Sequence, residues 1–294
     1  MNTPSRPRAT KIICTIGPAT DTSDMLGQLI EAGANVFRLN MSHSKHDWVR
    51  EVVFRIRRKA AELEANVAIL FDLQGPSIRT GDLAEPYHLK KGDTVEIRLG
   101  TAKPELPFST TVNYDGLLQD VQAGHTMVVD NGGILMRIAE VRPDRLICDV
   151  LTEGVFGSRR HINLPGVALR LPALTEKDLA DLAVAVECET DYVAMSFVRD
   201  AAHIAQLREH IDNLGGKAQI VAKIEDQQAV RHIDDIILAA DVIMVARGDL
   251  GIEVSIEELP IIQRRIVRHC HRLGRRCIVA THMLESMICL LYTS

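Results

Sequence analysis

No stretch of this sequence is apolar for long enough to cross a bilayer, and its first seventeen residues, MNTPSRPRATKIICTIG, hold no apolar core of secretory length. The expectation is therefore a cytoplasmic protein with no membrane partner. Its six cysteines include no Cys-x-x-Cys pair, the pattern of reduced thiols rather than of a disulfide framework. His269, Cys270, His271, Cys277 and His282 stand near one another but form no ligand pair at the usual zinc spacings, so no zinc site is expected. Positive charge is not in excess. With 34 Lys and Arg against 39 Asp and Glu the net charge is -5, and a general nucleic-acid footprint is not expected.

What is present describes a folded enzyme-sized chain. The 294 residues, 46% hydrophobic and 25% charged, suffice for one large domain or two. Short apolar runs alternate with amphipathic stretches. The spacing predicts strands at Lys11–Thr15, Val36–Leu39 and Val67–Leu73, with helices over Asp21–Ala32 and Lys45–Glu64. The rhythm returns with a helix over Thr175–Glu187 opened by a Thr-x-x-Asp cap. A strand at Tyr192–Phe197, a helix at Ala201–Leu214 and a strand at Ile220–Ile224 come next. Then follow a helix at Gln227–Ala239, a strand at Val242–Ala246, a helix near the Ser255-x-x-Glu258 box and a strand at Cys277–Ala280. Compact apolar strands joined by helices are the mark of parallel sheets in α/β barrels or doubly wound folds.

Between Gly75 and Arg170 the pattern changes to alternating, half-exposed strands (DTVEIRLG, TMVVDNGGILMRIAEV, RLICDVLTEG), with Asp130-Asn131-Gly132-Gly133 as a hairpin turn. The organisation expected is a barrel domain over 1–76 and 171–288, a small all-β domain over 77–170 inserted as a cap, and a non-native tail at 289–294.

A barrel places its chemistry at the carboxyl ends of its strands. Those ends supply Arg38, Asn40, Ser42 and His43 (FRLNMSH), Asp72 (FDLQG), Ser196, Lys223 and Glu225 (AKIED), Asp249 (ARGD) and Thr281 (VATH). Glu225 and Asp249 on neighbouring strands suit a hard divalent cation such as Mg²⁺, and Arg38 and Lys223 would neutralise a phosphoryl group in transit. Several have a plainer reading. Lys223 and Glu225 can be a structural ion pair, Asp72 a loop cap, Thr281 a core hydroxyl, and Arg247 a partner of Asp249 or Glu253. His43 and His46 read as solvated residues at a helix start.

The motifs TKIICTIGPAT, GANVFRLNMSHS, FDLQGPSIRTG, HINLPG, AKIED, MVARGDLGIE and IVATHMLESM stand in order from about residue 9 to residue 288. In these the chain resembles the pyruvate kinases. The resemblance implies a (β/α)₈ TIM-type barrel, incomplete at its C-terminal end, with a β domain inserted after the third strand. It implies phosphoryl transfer from phosphoenolpyruvate to ADP, giving pyruvate and ATP, with Mg²⁺ (or Mn²⁺) as cofactor. Lys223 would stabilise the transferring group, Glu225 and Asp249 would hold Mg²⁺, and Arg38 would contact the phosphate. The backbone near Gly248, with Thr281, would bind the carboxylate and enolate, Thr281 being a candidate proton source. Asn40, Ser42, His43, Arg79 and Arg160 would surround the nucleotide. A full-length member would be a homotetramer.

Asn40, Ser42, Asp72 and the Leu73 carbonyl match the family's K⁺ ligands. Leu73-Gln74, however, resembles members that work without that ion, and the expectation leans to independence. Ser77, His282 and Arg160-His161 depart from the common pattern. After Ile288 the sequence leaves the family pattern, which would continue with an eighth strand and a further domain. Two other readings stay open. One is a metal-dependent lyase or aldolase of the wider barrel group, against which the inserted β region argues. The other is a non-catalytic module presenting Arg247-Gly248-Asp249 as an adhesive loop.

Overall fold

The computed structural model describes residues 9–130, 132–255 and 257–281. The chain opens with β1 (Ile13–Ile16), α1 (Ser23–Glu31), β2 (Val36–Asn40), α2 (His46–Glu62) and β3 (Ala68–Asp72). A run of short strands follows: β4 (Ile78–Arg79), β5 (Tyr87–Leu89), β6 (Thr94–Arg98), β7 (Ser109–Thr111), β8 (Thr126–Val129), β9 (Ile134–Val141), β10 (Arg145–Val150), β11 (Gly154–Phe156) and β12 (His161–Asn163). One short helix, α3 (Leu117–Asp120), lies among them. Helices and strands then alternate as α4 (Glu176–Glu187), β13 (Tyr192–Met195), α5 (Ala201–Asn213) and β14 (Gln219–Ile224). The last described elements are α6 (Gln227–Arg231), α7 (Ile233–Ala239), β15 (Val242–Ala246), α8 (Arg247–Glu253), α9 (Leu259–Arg272) and β16 (Arg276–Ala280).

The described residues form two compact units. The first takes in those up to Gly75 with Leu174–Ser196 and Ala202–Ala222; the second takes in Pro76–Ala173, Phe197–Ala201 and those from Lys223 on. Seven strands form a sheet in the order β1-β2-β3-β13-β14-β15-β16. The registers are parallel, for example Ile13 beside Val36, Asn40 beside Asp72, and Ala246 beside Ala280.

In the first unit the helices follow from their apolar spacing. Val49, Val52, Val53, Ile56 and Ala60 are the buried face of α2, and Leu26, Gly27 and Ile30 that of α1. Thr175 caps α4 as its sequence promises. Its side chain accepts the Asp178 N–H while the Asp178 carboxylate accepts the Thr175 N–H, a reciprocal capping box.

In the second unit a seven-stranded sheet runs β4-β12-β8-β9-β10-β6-β7, with β5 and β11 paired separately. Its pairs are antiparallel except β6–β7. Val95, Ile97, Met127, Met136, Ile138 and Leu146 form a core without exposed surface, the inward half of the alternation seen in sequence. The turn between β8 and β9 closes with the Gly133 N–H on the Asp130 carbonyl at 3.0 Å; Asn131 lies outside the described residues.

Three local expectations are corrected. The segment Gln227–Ala239 is two helices, divided at His232, whose ring meets the Arg199 carbonyl at 3.0 Å. Arg247-Gly248-Asp249 does not extend a strand but opens α8. The helix expected from the Ser255-x-x-Glu258 box starts at Leu259 with Glu258 at its N-cap and no side-chain capping bond; Pro260 fits its first turn, where an N–H is not needed. The tail at 289–294 and His282 lie outside the described residues.

Candidate active site

In the first unit, the ends of β2 and β3 gather four of the expected groups. The Nε and Nη2 atoms of Arg38 both lie 2.6 Å from Asp72 Oδ2, and its Nη1 donates to Thr15 Oγ1 at 2.9 Å. Asp72 is 1% exposed, so a carboxylate taken out of water is held by a guanidinium rather than capping a loop. Asn40 Oδ1 accepts the Ser42 N–H at 3.1 Å. The Leu73 carbonyl accepts the Ser196 hydroxyl at 2.7 Å. Each of those oxygens keeps a second lone pair, and Asn40 stands opposite Asp72 in register. The donor set is all oxygen, as a K⁺ ion requires. His43 is exposed, whereas His46, at the start of α2, reaches the buried Asp181 carboxylate at 2.7 Å.

In the second unit the chemistry concentrates just beyond β14. Lys223 Nζ lies 2.8 Å from Glu225 Oε1, with Lys223 12% and Glu225 1% exposed. The other oxygen, Oε2, accepts the Phe197 N–H at 2.6 Å. Phe197 has φ +54°, a left-handed conformation costly for a bulky residue, held where its N–H meets the carboxylate. Burial pushes the Glu225 carboxyl up, and Asp249 pushes it the same way, while Lys223 and the Phe197 N–H pull it down. Two hard carboxylates that repel one another beside a lysine are what a divalent cation would relieve. Among the described residues no group of three or more His, Cys, Asp or Glu side chains gathers to hold a metal. An ion at Glu225 and Asp249 would take its other ligands from water and substrate oxygens.

Helix α8 is fastened to the end of β16. Arg247 donates to the Ala280 carbonyl at 2.8 Å and the Thr281 carbonyl at 2.5 Å, and the Gly248 N–H donates to Thr281 Oγ1 at 3.2 Å. Arg247 thus serves the backbone, a role its sequence did not disclose. Thr281 has φ +76°, an outlier for a β-branched residue and one of the strained positions that cluster at working sites. Its hydroxyl oxygen accepts from the Gly248 N–H, a bond that occupies a lone pair and not the hydroxyl proton.

The two arginines expected at the nucleotide lie on the paired strands β4 and β12, where Arg79 stands opposite His161. Arg79 donates to Ser77 Oγ at 3.3 Å and the Arg159 carbonyl at 3.1 Å, and Arg160 Nη1 lies 3.2 Å from Asp130 Oδ1. The buried Nε of Arg160 has no partner among the described residues. His161, where the common pattern differs, packs edge-on to Phe197 at 5.9 Å between ring centres. Burial pushes its imidazole down, Asp249 opposes that and Arg79 adds to it.

Sequence reasoning overlooked a cleft of about 290 Å³ in this unit, lined by Glu225, Asp226, Glu253, Asn163, Arg199 and Phe197 among others. Glu253 and Asn163 lie inside the MVARGDLGIE and HINLPG blocks. The signal available was a carboxylate four residues after Asp249 on what proves to be a helix.

Comparison with known proteins shows the family of the chain that carries these groups. The family description "Pyruvate kinase, barrel domain" matches residues 7–290. The chain belongs to the pyruvate kinase family. It is 41% identical over 288 residues to plastidial pyruvate kinase 2 of Arabidopsis thaliana, covering 97% of this chain and 49% of that protein. It is 40% identical to the pyruvate kinase of Clostridium perfringens, over 95% of this chain and 59% of that one. It is 37% identical to that of Staphylococcus aureus strain MRSA252, over 95% and 48% respectively. The chain therefore spans about half the length of the curated pyruvate kinases it matches. The matched description is that of a barrel domain, and the parallel strands alternating with helices are its described part. No helix among the described residues is long and apolar enough to cross a membrane.

Proposed function

We propose that this chain carries the catalytic residues of a cytoplasmic pyruvate kinase, which moves the phosphoryl group of phosphoenolpyruvate to ADP. The observation that carries the proposal is the buried Lys223–Glu225 pair at 2.8 Å with Asp249 acting on the same carboxylate. In the reaction the bond from phosphorus to the enol oxygen breaks and one to a terminal ADP oxygen forms. The enolate left behind takes a proton at its methylene carbon to become pyruvate. Little covalent chemistry falls to the protein, so placement and charge carry the rate.

Lys223 stabilises the charge on the phosphoryl oxygens, and Arg38 contacts the phosphate. Glu225 and Asp249 are the residues to hold Mg²⁺ or Mn²⁺, which when bound supplies positive charge to the phosphate and enolate oxygens. Gly248 and Thr281 hold the carboxylate end, and Thr281 is the candidate proton donor. Arg79 and Arg160, with Asn40, Ser42 and His43, bind the nucleotide. Asn40, Ser42, Asp72 and the Leu73 carbonyl form the candidate K⁺ site. The full-length protein is assigned a homotetrameric state, by the family resemblance alone.

The test is pyruvate formation by this chain from phosphoenolpyruvate with Mg²⁺, with and without ADP. ADP-dependent release supports the assignment. Release that ignores ADP would favour a lyase-type barrel enzyme instead. Replacing the potassium salt by one of a bulky organic cation then reads the monovalent dependence.

A further inference from the structure

The first two turns of α4 carry a cluster of charges that the reaction outlined above does not use. Lys177 and Asp181 stand four residues apart, hence on one face of the helix. Asp181 has no exposed surface, and each of its carboxylate oxygens meets a different partner. Lys177 Nζ lies 2.6 Å from Oδ2, and His46 Nε2 lies 2.7 Å from Oδ1. The same lysine Nζ donates to the Met41 carbonyl at 2.7 Å. His46, expected in solvent, is thus tied to a buried carboxylate.

Both ties fall at the ends of one short connection. Met41 is the first residue after β2 and His46 the first of α2, so residues 41–45 are all that joins the two elements. Both backbone polar groups of Met41 are engaged: its N–H donates to the Asp72 carbonyl at 2.9 Å, and its carbonyl accepts from Lys177. Within the connection the Asn40 side chain accepts the Ser42 N–H at 3.1 Å, and the Asn40 carbonyl accepts the Ser44 hydroxyl at 2.7 Å. Asn40, Ser42 and His43 therefore stand on a turn bonded to itself and pinned to α4 at both ends. An apolar side chain in place of Asp181 would fill the space without taking a carboxylate out of water. The ties call for a reason beyond packing.

We infer that Asp181 is a positioning residue for the nucleotide: with Lys177 on one oxygen and His46 on the other, it holds the β2–α2 connection and so sets where Ser42 and His43 stand. This rests on the reading of Asn40, Ser42 and His43 as nucleotide-binding groups.

Two variants open the ties. In Asp181→Asn the amide keeps the shape of the carboxylate but turns its N–H₂ toward one of two donors, so one tie is lost. Lys177→Met removes the bond to the Met41 carbonyl; its side chain is 42% exposed, and such a pair adds little to global stability. Where Asp181→Asn does not fold, Lys177→Met carries the test. Arg50→Met is the control. Arg50 meets both oxygens of Glu187, at 2.9 and 2.7 Å, and so also joins α2 to α4, but at the far end of α4. The readouts are hydrogen exchange of peptides covering 41–46 without ligand, ADP affinity by calorimetry at fixed Mg²⁺ and KCl, and KM for ADP set against kcat.

Both variants are expected to speed exchange over 41–46 and to weaken ADP binding about tenfold, within the range for couplings carried by packed networks. The KM for ADP should rise with it, while kcat and the KM for phosphoenolpyruvate stay as they were. Arg50→Met should change none of these. Unchanged exchange, faster exchange with ADP affinity unaltered, or an equal effect of Arg50→Met would each overturn the inference. A kcat that falls with ADP affinity intact would overturn it too. Absence of ADP binding by the unaltered chain overturns the nucleotide reading itself, and the exchange comparison, which needs no ligand, then still decides whether Asp181 holds the connection.

Discussion

Lys223 and Glu225 leave β14 two residues apart and meet at 2.8 Å, one charge nearly buried and the other wholly so. Such a pair is ambiguous on geometry alone, since structural and catalytic ion pairs look alike. The response to Lys223→Met separates the two. Burial already pushes the Glu225 carboxyl up, so on losing its lysine it takes a proton instead of remaining an unpaired buried anion. The stability loss is then modest, about 1–2 kcal/mol. Turnover should fall about 100- to 1000-fold, the size of effect when one preorganised charge is removed from a transition state. Urea unfolding and ADP-dependent pyruvate release measure the two effects. A large stability loss with turnover near normal would make the pair structural.

The Arg38–Asp72 pair makes the opposite prediction. Asp72 is buried and both guanidinium contacts fall on one of its oxygens at 2.6 Å. Arg38→Ala removes both guanidinium contacts from that buried carboxylate and should cost about 3 kcal/mol. Arg38→Lys keeps a charge but not the two-pronged contact, and about 1 kcal/mol is expected. Chemical denaturation of the two variants checks the order; equal losses would show that charge, not the fork of donors, holds Asp72.

The elements carried by compact apolar runs and spaced apolar faces were legible in the sequence, because burial alone specifies them. Val242–Ala246 falls where the sequence puts it, and α2 ends two residues short of the expected Glu64. What escaped was decided by short-range geometry with little composition behind it. Helix α8 has seven residues, two of them glycine, so its propensity is poor; its first turn depends on Arg247 reaching the carbonyls of Ala280 and Thr281. The division at His232 depends on a contact with Arg199, thirty-three positions away. Motif blocks located Lys223, Glu225 and Asp249, yet their pattern could not show that Phe197 offers its N–H to Glu225 from a left-handed conformation. Nor could it show that Asn163 and Glu253 share a cleft, since such pairings depend on tertiary packing.

Asp178 has two tasks that substitution can divide. Its Oδ2 accepts the Thr175 N–H at 2.9 Å and the Thr175 hydroxyl at 2.7 Å, closing the cap of α4, while its Oδ1 accepts the Gly75 N–H at 2.9 Å in a buried position. Thr175→Ala removes only part of the cap and should cost about 1 kcal/mol. Asp178→Ala also orphans the Gly75 N–H, and a loss of about 2–4 kcal/mol is expected. Hydrogen exchange at Gly75 distinguishes the variants: it should accelerate in Asp178→Ala and stay slow in Thr175→Ala.

Glu253 gives the protein an unusual pH response. Burial, followed by Asp226, pushes its carboxyl up from 4.5 to about 7, with Asp249 adding in the same sense, against the bonds from Gly166 and Asn163. A carboxyl raised in the folded state binds its proton more tightly than in the unfolded chain. Its contribution to stability is fully present below the unfolded value and is lost as pH rises through about 7. Glu225 and Asp226, both raised by burial, act with the same sign, whereas His161, lowered by burial, acts with the opposite one. The comparison that isolates Glu253 is therefore the change in urea midpoint from about pH 5 to about pH 8, read in the unaltered chain and in Glu253→Gln. Glutamine cannot ionise, so the variant should lose less of its midpoint over that interval than the unaltered chain. Parallel curves would mean that Glu253 reaches enough water in the folded state to ionise as it does when unfolded. The strain between its charge and those of Asp226 and Asp249 would then be too small to affect stability.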